Sequence, residues 1–348
     1  WQRLAVKSDV VELVCKPSKS GHYVRILGDV PSRFPIQKKA TTLEFLRTLP
    51  TLRHRTNTLG EILRVRSDIE AYLGEFFRSE QFTKVAPPEI SSSDCEGAGE
   101  LFTVKSSARP DFFKSEVYLT VSTQMHLEVL SAALNRVWTL TPCFRAENSD
   151  TNRHLSEFWM LEAEINYVDE VEQITAFCER MLKAVARGLE GQITEGTRTL
   201  PSTTKERLQV FLRDEKWPLV TYLEALTILN ENNPAVKNPL EFGATITTEY
   251  EKWLAEYFKG PLFITDCPKA QKPFYMKKSN VFDPEKPTVG CFDLILPDVG
   301  ELIGGSLRID SYDELVDEVE LRGMDKTAKI GRASCREKWR TRRSRKQE

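Results

Sequence analysis

Two carboxylates stand on one predicted strand face in the segment FWMLEAEINYV, residues 158–168. Because side chains alternate across a β-strand, Glu162 and Glu164 project on the same side as Phe158. The opposite side, from Trp159 to Tyr167, is wholly apolar. One interpretation is a ligand site in which paired carboxylates lie beside an aromatic ring. The other is a half-exposed strand with solvated glutamates, and this segment alone does not separate the two.

Neighbouring segments add arginines and further carboxylates. CFRAE predicts a second strand with Arg and Glu on one face, and NSDTNRH follows it as a loop. CFDLILP predicts a third strand with its Asp opposite apolar residues, and VGELIGGSLR adds a further Glu and Arg. The residues concerned are Arg145, Glu147, Arg153, His154, Asp293, Glu301 and Arg308. Carboxylate oxygens suit Mg²⁺, and guanidinium forks suit phosphate oxygens. The sequence therefore predicts a site for Mg²⁺ and a polyphosphate, with Gly304 and Gly305 allowing a bulge or the close approach of a ligand.

The elements that must carry these segments predict an α+β fold. Apolar residues at helical spacing predict helices from Ile62 to Phe76, over residues 169–189 and over residues 247–258. Strands are predicted at 117–121, 137–147, 158–168 and 291–297. Because the strands occur in runs joined by helices of varied length, we expect an antiparallel sheet flanked by helices.

Composition narrows the class of protein. None of the apolar runs in the 348 residues approaches the roughly 20 needed to span a bilayer, so no membrane partner is expected. The seven cysteines are scattered without a CxxC pair, which favours reduced thiols over disulfides or a zinc site. Residues 1–66 carry 13 Lys/Arg against 5 Asp/Glu, and residues 326–348 carry 10 against 2. Such basic segments suit contact with a polyanion, although a solvated surface gives the same pattern.

Several long segments resemble one enzyme family. FRAENSDTNRHLSEFWMLEAE is similar to motif 2 of the class II aminoacyl-tRNA synthetases, and CFDLILPDVGELIGGSLR resembles the metal-binding and substrate-binding strands of their aspartyl/asparaginyl subgroup. YLTVSTQMHLE and CEGAGELF also resemble that subgroup, and the similarity runs from about residue 12 to 325. Within it, EFWMLEAE looks asparaginyl, because aspartyl members tend to have Asp in place of Glu162. The amino-acid sequence of these segments is most similar to that of fungal mitochondrial members.

The resemblance implies a role for each site residue. The expected ATP-binding residues are Arg145, Arg153, His154, Phe158, Asp293 and Glu301. The expected amino-acid-binding residues are Glu96, Ser122, Gln124, Glu162 and Arg308. The expected metal ligands are Asp293 and Glu301, and the expected catalytic residues are Arg145 and Glu147. Glu162 would accept a hydrogen bond from the side-chain NH₂ of asparagine, and Arg308 would donate one to its oxygen.

The same resemblance implies a function and an organisation. The chain would use ATP and Mg²⁺ to activate asparagine and would attach it to tRNA(Asn) in the mitochondrial matrix or otherwise the cytoplasm. Residues 1–30 would be a remnant of an OB-fold anticodon-binding barrel, 31–57 a basic hinge, and 58–325 a class II catalytic domain that stops before motif 3. Residues 326–348 would be a disordered basic tail, either RNA-binding or an artefact of the gene sequence. A homodimer is expected through the motif 1 helix near Ile62.

Three other functions stay open. The first is an aspartyl-tRNA synthetase of relaxed specificity, against which Glu162 argues. The second is an asparagine synthetase derived from the same fold, against which the OB-fold remnant and its basic linker argue. The third is a truncated, catalytically inactive synthetase-like RNA-binding protein, which the missing motif 3 supports.

Overall fold

The computed structural model of the chain describes residues 11–14, 23–26, 33–36, 41–92, 100–109, 111–148, 154–191, 206, 208–280 and 283–323. The chain divides into two compact units, Trp1–Ser67 and Asp68–Glu348. Two of the expected site residues, Glu96 and Arg153, lie outside the described residues, as does the basic tail 326–348.

The first unit contains a hairpin and short helical segments. Strand β1, Val11–Val14, pairs antiparallel with β2, Tyr23–Ile26. Helix α1, Leu43–Arg47, begins after Thr42, whose hydroxyl oxygen accepts from the Phe45 N–H, and a 3₁₀ turn follows at Arg53–Arg55. The predicted OB-fold remnant stays a prediction, because one hairpin does not define a barrel.

Two sheets form the frame of the second unit. In the first, β6 (Arg136–Phe144) pairs antiparallel with β7 (Glu157–Ile165), and β3 (Thr83–Lys84) joins β6 in parallel. The second sheet has four strands: β8 (Leu219–Thr221), β9 (Leu262–Pro268), β10 (Thr288–Leu296) and β11 (Gly300–Ser306). Their spatial order is β11-β10-β9-β8, and a small pair joins β4 (Ile90–Ser91) to β5 (Tyr118–Leu119). The antiparallel prediction holds for the long strands, while the short β3 and β8 pair in parallel.

Helices cover these sheets. The long helix α2 spans Asn57–Ser79. The later helices are α3 (Gln124–Leu134), α4 (Val171–Gly188), α5 (Tyr222–Asn232), α6 (Thr248–Tyr257) and α7 (Tyr312–Leu321), with 3₁₀ turns at Gln209–Leu212 and Lys269–Gln271. The predicted helices over 169–189 and 247–258 are therefore confirmed to within two residues at each end. Within the described ranges, no helix combines the length and the apolar character that crossing a bilayer requires.

The core holds the two sheets in place. On one side the Phe77 ring of α2 stacks on Trp138 of β6 with centroids 4.5 Å apart. Ile303 of β11 packs against that same cluster, so an apolar side chain joins the second sheet to the first. On the other side, α5 and α6 pack on β9 and β10 through residues such as Leu254 and Ile264. Each such side chain contributes about 1.5–3 kcal/mol through burial.

Four cysteines within the described ranges are free thiols, as expected. Cys143, Cys178, Cys267 and Cys291 are all buried. Burial raises the pKa of the Cys143 and Cys178 thiols to about 12. These two side chains are therefore neutral, apolar members of the core at ordinary pH.

Candidate active site

Strand β7 presents its two faces as the sequence predicts. Leu161 and Ile165 pack against the core cluster, while Glu162 and Glu164 lie on the other face. Glu164 is only 8% exposed, and Glu162 is half-buried. The interpretation of these glutamates as solvated surface residues is therefore wrong. Trp159 is 50% exposed, so the apolar face is not buried along its whole length.

The carboxylate of Glu162 is held by the residues that precede helix α3. Its Oε1 accepts from Ser122 Oγ at 2.5 Å, and its Oε2 accepts from the Thr123 N–H at 2.8 Å. The Thr123 hydroxyl also donates to Oε2. The Thr120 hydroxyl in turn donates to the Ser122 carbonyl at 2.7 Å, which fixes this turn. Both oxygens of Glu162 are thus oriented by donors before any ligand binds.

Arg308 lies between two carboxylates and an aromatic ring. Its Nη2 donates to Glu164 Oε1 at 2.8 Å, and its Nε lies 3.6 Å from Glu128 Oε1. The guanidinium carbon lies 4.6 Å from the centroid of the Tyr275 ring. Burial disfavours the charged form, but Glu164, Glu128 and Tyr275 together raise the pKa of Arg308 above its ordinary value. The guanidinium is therefore charged and held in one orientation.

Gln124 contacts both the Glu162 group and the Arg308 group, and its backbone N–H donates to Ser122 Oγ at 3.1 Å. Its Nε2 donates to Glu128 Oε1 at 2.9 Å, and its Oε1 accepts from the Tyr275 hydroxyl at 3.1 Å. Sequence reasoning assigned no role to Glu128 or Tyr275. The sequence did contain a signal for Glu128: it follows Gln124 by four residues, and residues four apart on a helix lie next to each other. Tyr275 had none, since it lies 151 residues from Gln124 in the chain.

Asp293 and Glu301 border one small space at the β10–β11 pair. Asp293 lies opposite Gly304, and a register shift after Leu294 brings Glu301 opposite Ile295. A Cβ built on Gly304 would lie 2.9 Å from Glu301 Oε1 and 3.6 Å from Asp293 Oδ1. The missing side chain therefore leaves room for an ion beside both carboxylates.

The carboxylates of Asp293 and Glu301 suit Mg²⁺ better than a metal ion that takes all of its ligands from protein side chains. The described residues include no cluster of three or more His, Cys, Asp and Glu side chains that could hold an ion. Mg²⁺ commonly takes one or two carboxylates and completes its octahedron with water and phosphate oxygens. Asp293 and Glu301 supply two such carboxylates beside Gly304, which has no side chain.

Lys272 is a site residue that sequence reasoning missed. Its Nζ donates to Asp293 Oδ1 at 2.9 Å and to Oδ2 at 2.7 Å. Cys267 Sγ lies 3.7 Å from the same Oδ2. Burial disfavours the ammonium form, but Asp293 and its neighbours raise the pKa of Lys272 above the ordinary value. The lysine is thus a charged partner of one candidate metal ligand.

The loop between β6 and β7 carries the remaining residues. Because β6 ends at Phe144, the prediction that Arg145 and Glu147 share a strand face is wrong. The structure instead places the Arg145 guanidinium 5.5 Å from the centroid of the Phe158 ring. His154 Nε2 lies 3.8 Å from Glu147 Oε2. Contacts across the loop, rather than strand alternation, bring these side chains together.

The profile described as tRNA synthetases class II (D, K and N) matches residues 43–333. The match contains every described residue of the candidate site.

Individual relatives and a solved structure also indicate this family. The chain is 44% identical to the mitochondrial asparagine–tRNA ligase of Saccharomyces cerevisiae, over 95% of this chain and 71% of that protein. It is also 44% identical to the mitochondrial asparagine–tRNA ligase of Schizosaccharomyces pombe, over 84% of this chain and 65% of that protein. The crystal structure of asparaginyl-tRNA synthetase from Pyrococcus horikoshii complexed with asparaginyl-adenylate matches with a TM-score of 0.76 and 30% identity. That match covers 90% of this chain and 69% of the solved chain.

Proposed function

The chain belongs to the class II tRNA synthetases of the D, K and N group, and on this premise we propose that it is an asparagine–tRNA ligase. It activates asparagine with ATP and transfers the asparaginyl group to tRNA(Asn). The two fungal relatives at 44% identity carry this activity in their names, which supports the choice of amino acid. The asparaginyl-adenylate in the Pyrococcus horikoshii structure supports an adenylate intermediate.

A fixed acceptor beside a fixed donor is the observation that carries the proposal. Ser122 and Thr123 hold the Glu162 carboxylate. Glu164 holds the Arg308 guanidinium. Because Glu162 and Glu164 are two residues apart on one strand face, about 7 Å separates their Cα atoms. A primary amide needs one acceptor for its NH₂ and one donor for its oxygen, which Glu162 and Arg308 supply. The carboxylate of aspartate would instead meet Glu162 with like charge.

The other amino-acid contacts lie at the start of α3. Ser122 and Gln124, with Glu96, bind the ammonium group of asparagine in our proposal. The hydroxyl of Ser122 and the amide of Gln124 already have defined partners, which orients both of them before substrate binding. Preorientation of this kind lowers the entropic cost of binding.

ATP is bound by the β6–β7 loop in our proposal. Arg145 contacts the α-phosphate and Phe158 stacks on adenine, which agrees with their positions side by side. His154 and Arg153 reach the outer phosphates, and Glu147 lies near the adenine or the acceptor end of tRNA. Asp293 and Glu301 would hold Mg²⁺, which when bound supplies positive charge to the phosphate oxygens.

The reaction follows from these placements without a covalent nucleophile from the protein. An oxygen of the asparagine carboxylate attacks the α-phosphorus of ATP, the bond to the β-phosphate oxygen breaks, and pyrophosphate leaves. Arg145 stabilises the charge that grows on the α-phosphate oxygens. A terminal ribose hydroxyl of tRNA then attacks the activated carbonyl, and AMP leaves. The protein contributes mainly position and electrostatic stabilisation.

We further propose the wider organisation that the family implies. Residues 1–30 belong to an OB-fold anticodon-binding domain, 31–57 to a hinge and 58–325 to the catalytic domain. Two chains associate through helix α2, which carries Ile62 with 52% exposure. The names of the fungal relatives support the mitochondrial matrix as the compartment.

ATP–pyrophosphate exchange with asparagine or aspartate tests the function directly. We expect exchange that depends on asparagine, with aspartate at least about a hundredfold less effective in kcat/KM. Charging of tRNA(Asn) transcripts with labelled asparagine tests the second step. Equal exchange with both amino acids would contradict the proposed specificity, and no exchange with either would contradict the proposed activity.

A further inference from the structure

The group of side chains around Arg308 contains more carboxylates than positive charges. Glu164 lies 2.8 Å and Glu128 lies 3.6 Å from guanidinium nitrogens, and the side chains of both glutamates are 9% exposed. Glu162 lies two residues from Glu164 on the same strand face. One guanidinium thus faces two carboxylates directly, with a third nearby. The group as a whole is negative.

Glu128 differs from Glu164 in how it acts on Arg308. Glu164 makes a direct hydrogen bond to the guanidinium, and the Tyr275 ring packs against its face at 4.6 Å. Among the described residues, Nε of Arg308 has no hydrogen-bond partner. The separation of 3.6 Å between this Nε and Glu128 exceeds hydrogen-bond range. Glu128 therefore acts on Arg308 mainly by charge, while other residues hold the guanidinium in place.

The same oxygen of Glu128 also serves the other half of the amino-acid site. Its Oε1 accepts from Gln124 Nε2 at 2.9 Å. Gln124 is one of the residues that we assign to the substrate ammonium, and Arg308 is assigned to the side-chain amide. Glu128 is thus placed between the residues that read the two ends of the amino acid.

We propose that Glu128 is a positioning residue that determines the choice of asparagine over aspartate by acting through Arg308 and Gln124. This inference rests on the proposed function. Without Glu128, Glu164 would balance the charge of Arg308, and Glu162 would be the one remaining carboxylate of this group to oppose a substrate carboxylate. The additional charge of Glu128 makes the surroundings of Arg308 more negative, so a substrate carboxylate is repelled more strongly. A neutral amide oxygen still accepts from the guanidinium, because donation needs the N–H and not a net positive field.

The test compares neutral and charged variants of Glu128. Glu128→Gln and Glu128→Met remove the charge at similar side-chain length, and Glu128→Asp retains it. Glu231→Gln, on the exposed face of α5, is the matched control for loss of one glutamate charge. The probes are the stable sulfamoyl analogues of asparaginyl-adenylate and aspartyl-adenylate, with dissociation constants from calorimetry. Circular dichroism shows which variants are folded, and two neutral variants keep the comparison available when one of them does not fold.

The ratio of the two dissociation constants is the deciding quantity. We expect the preference for the asparaginyl analogue to fall by about tenfold or more in Glu128→Gln and Glu128→Met. Glu128→Asp and Glu231→Gln should keep the wild-type ratio. If Glu128 had only a structural role, its neutral variants would bind both analogues more weakly by the same factor, and the ratio would not change. That result would overturn this inference while the proposed function stands. Wild-type protein that binds neither analogue, or prefers the aspartyl one, would overturn the proposed function and this inference with it.

Discussion

The guanidinium of Arg308 and the carboxylate of Glu164 form a buried ion pair, with Nη2 2.8 Å from Oε1. Removing one partner of such a pair leaves the other charge buried and poorly compensated. We expect Glu164→Gln to lower the free energy of unfolding by about 2–3 kcal/mol, since Glu128 still compensates part of the charge. Urea unfolding followed by circular dichroism measures this quantity.

Glu157 provides the control for that prediction. It lies on the same strand with an exposed side chain, so Glu157→Gln should change the unfolding free energy by less than about 0.5 kcal/mol. Equal effects of the two substitutions would show that the Arg308–Glu164 pair contributes nothing beyond strand composition. Asparagine binding should weaken in Glu164→Gln only, because only that variant releases Arg308.

Gly304 and Gly305 are adjacent but should respond differently to alanine. A Cβ on Gly304 would approach the flexible end of Glu301 at 2.9 Å, whereas a Cβ on Gly305 would lie 2.4 Å from the buried Phe292 ring. We expect Gly304→Ala to fold normally and to weaken Mn²⁺ binding by about tenfold or more, because Glu301 must move. We expect Gly305→Ala to lose about 1–3 kcal/mol of stability through overpacking.

Electron paramagnetic resonance of Mn²⁺ and thermal unfolding together measure both effects. Each glycine variant is the control for the other, since both add one methyl group to the same strand. Unchanged Mn²⁺ affinity in a folded Gly304→Ala protein would remove the support for a metal between Asp293 and Glu301.

The pair of Lys272 and Asp293 predicts a specific dependence of stability on pH. Because the pKa of Lys272 is raised in the folded state, its stabilising effect is fully present below the unfolded lysine pKa of about 10.4 and is lost as pH rises through the folded pKa. We expect Lys272→Met to cost about 2 kcal/mol at pH 8, a cost reduced from that of a fully buried pair because both side chains are 20% exposed. The difference from wild type should shrink only above about pH 10.

Lys278→Met is the matched control for Lys272→Met. Lys278 also pairs with a carboxylate, that of Glu314, but its side chain is 42% exposed. Such surface pairs contribute about 0–1 kcal/mol. Unfolding free energies from pH 8 to 11 should therefore show a large, pH-dependent effect for Lys272 and a small one for Lys278. Similar curves for both variants would contradict the assignment of Lys272 as the partner of a buried charge.

The sequence was sufficient where a residue's position depends on local periodicity. Alternation along β7 placed Glu162 and Glu164 on one face because strand geometry leaves no other choice. The apolar stripe of α4 and the position of Asp293 between buried neighbours followed for the same reason. The helix α5 was not predicted, although Thr221 and Glu224 form a capping box that marks its start.

Contacts between distant segments could not be read from periodicity. Lys272 reaches Asp293, 21 residues away, and Tyr275 reaches Gln124, 151 residues away, because the folded sheets bring those segments together. Arg145 was assigned to a strand that ends one residue earlier, because the FRAE sequence contains no breaker to mark that end. The sequence also predicted a single sheet where the structure has two large ones. Which strands pair is determined by the packing of the whole core, and the pattern within each strand does not reveal it.

Arg145 and Arg180 offer the sharpest test of the ATP-binding loop. Each guanidinium lies over a phenylalanine ring, at 5.5 Å from Phe158 and 5.7 Å from Phe177. We expect Arg145→Ala to reduce asparagine-dependent pyrophosphate exchange by about 10²–10³ in kcat, because the charge on the α-phosphate then loses its donor. Arg145→Lys should recover only part of the lost kcat, because an ammonium group cannot reproduce the planar fork of a guanidinium. Arg180 lies on helix α4 and not in the loop, so Arg180→Ala removes a similar contact with a phenylalanine ring, together with an exposed ion pair to Glu80, and should leave exchange within about twofold. Equal losses in the two alanine variants would mean that Arg145 acts through folding and not on ATP.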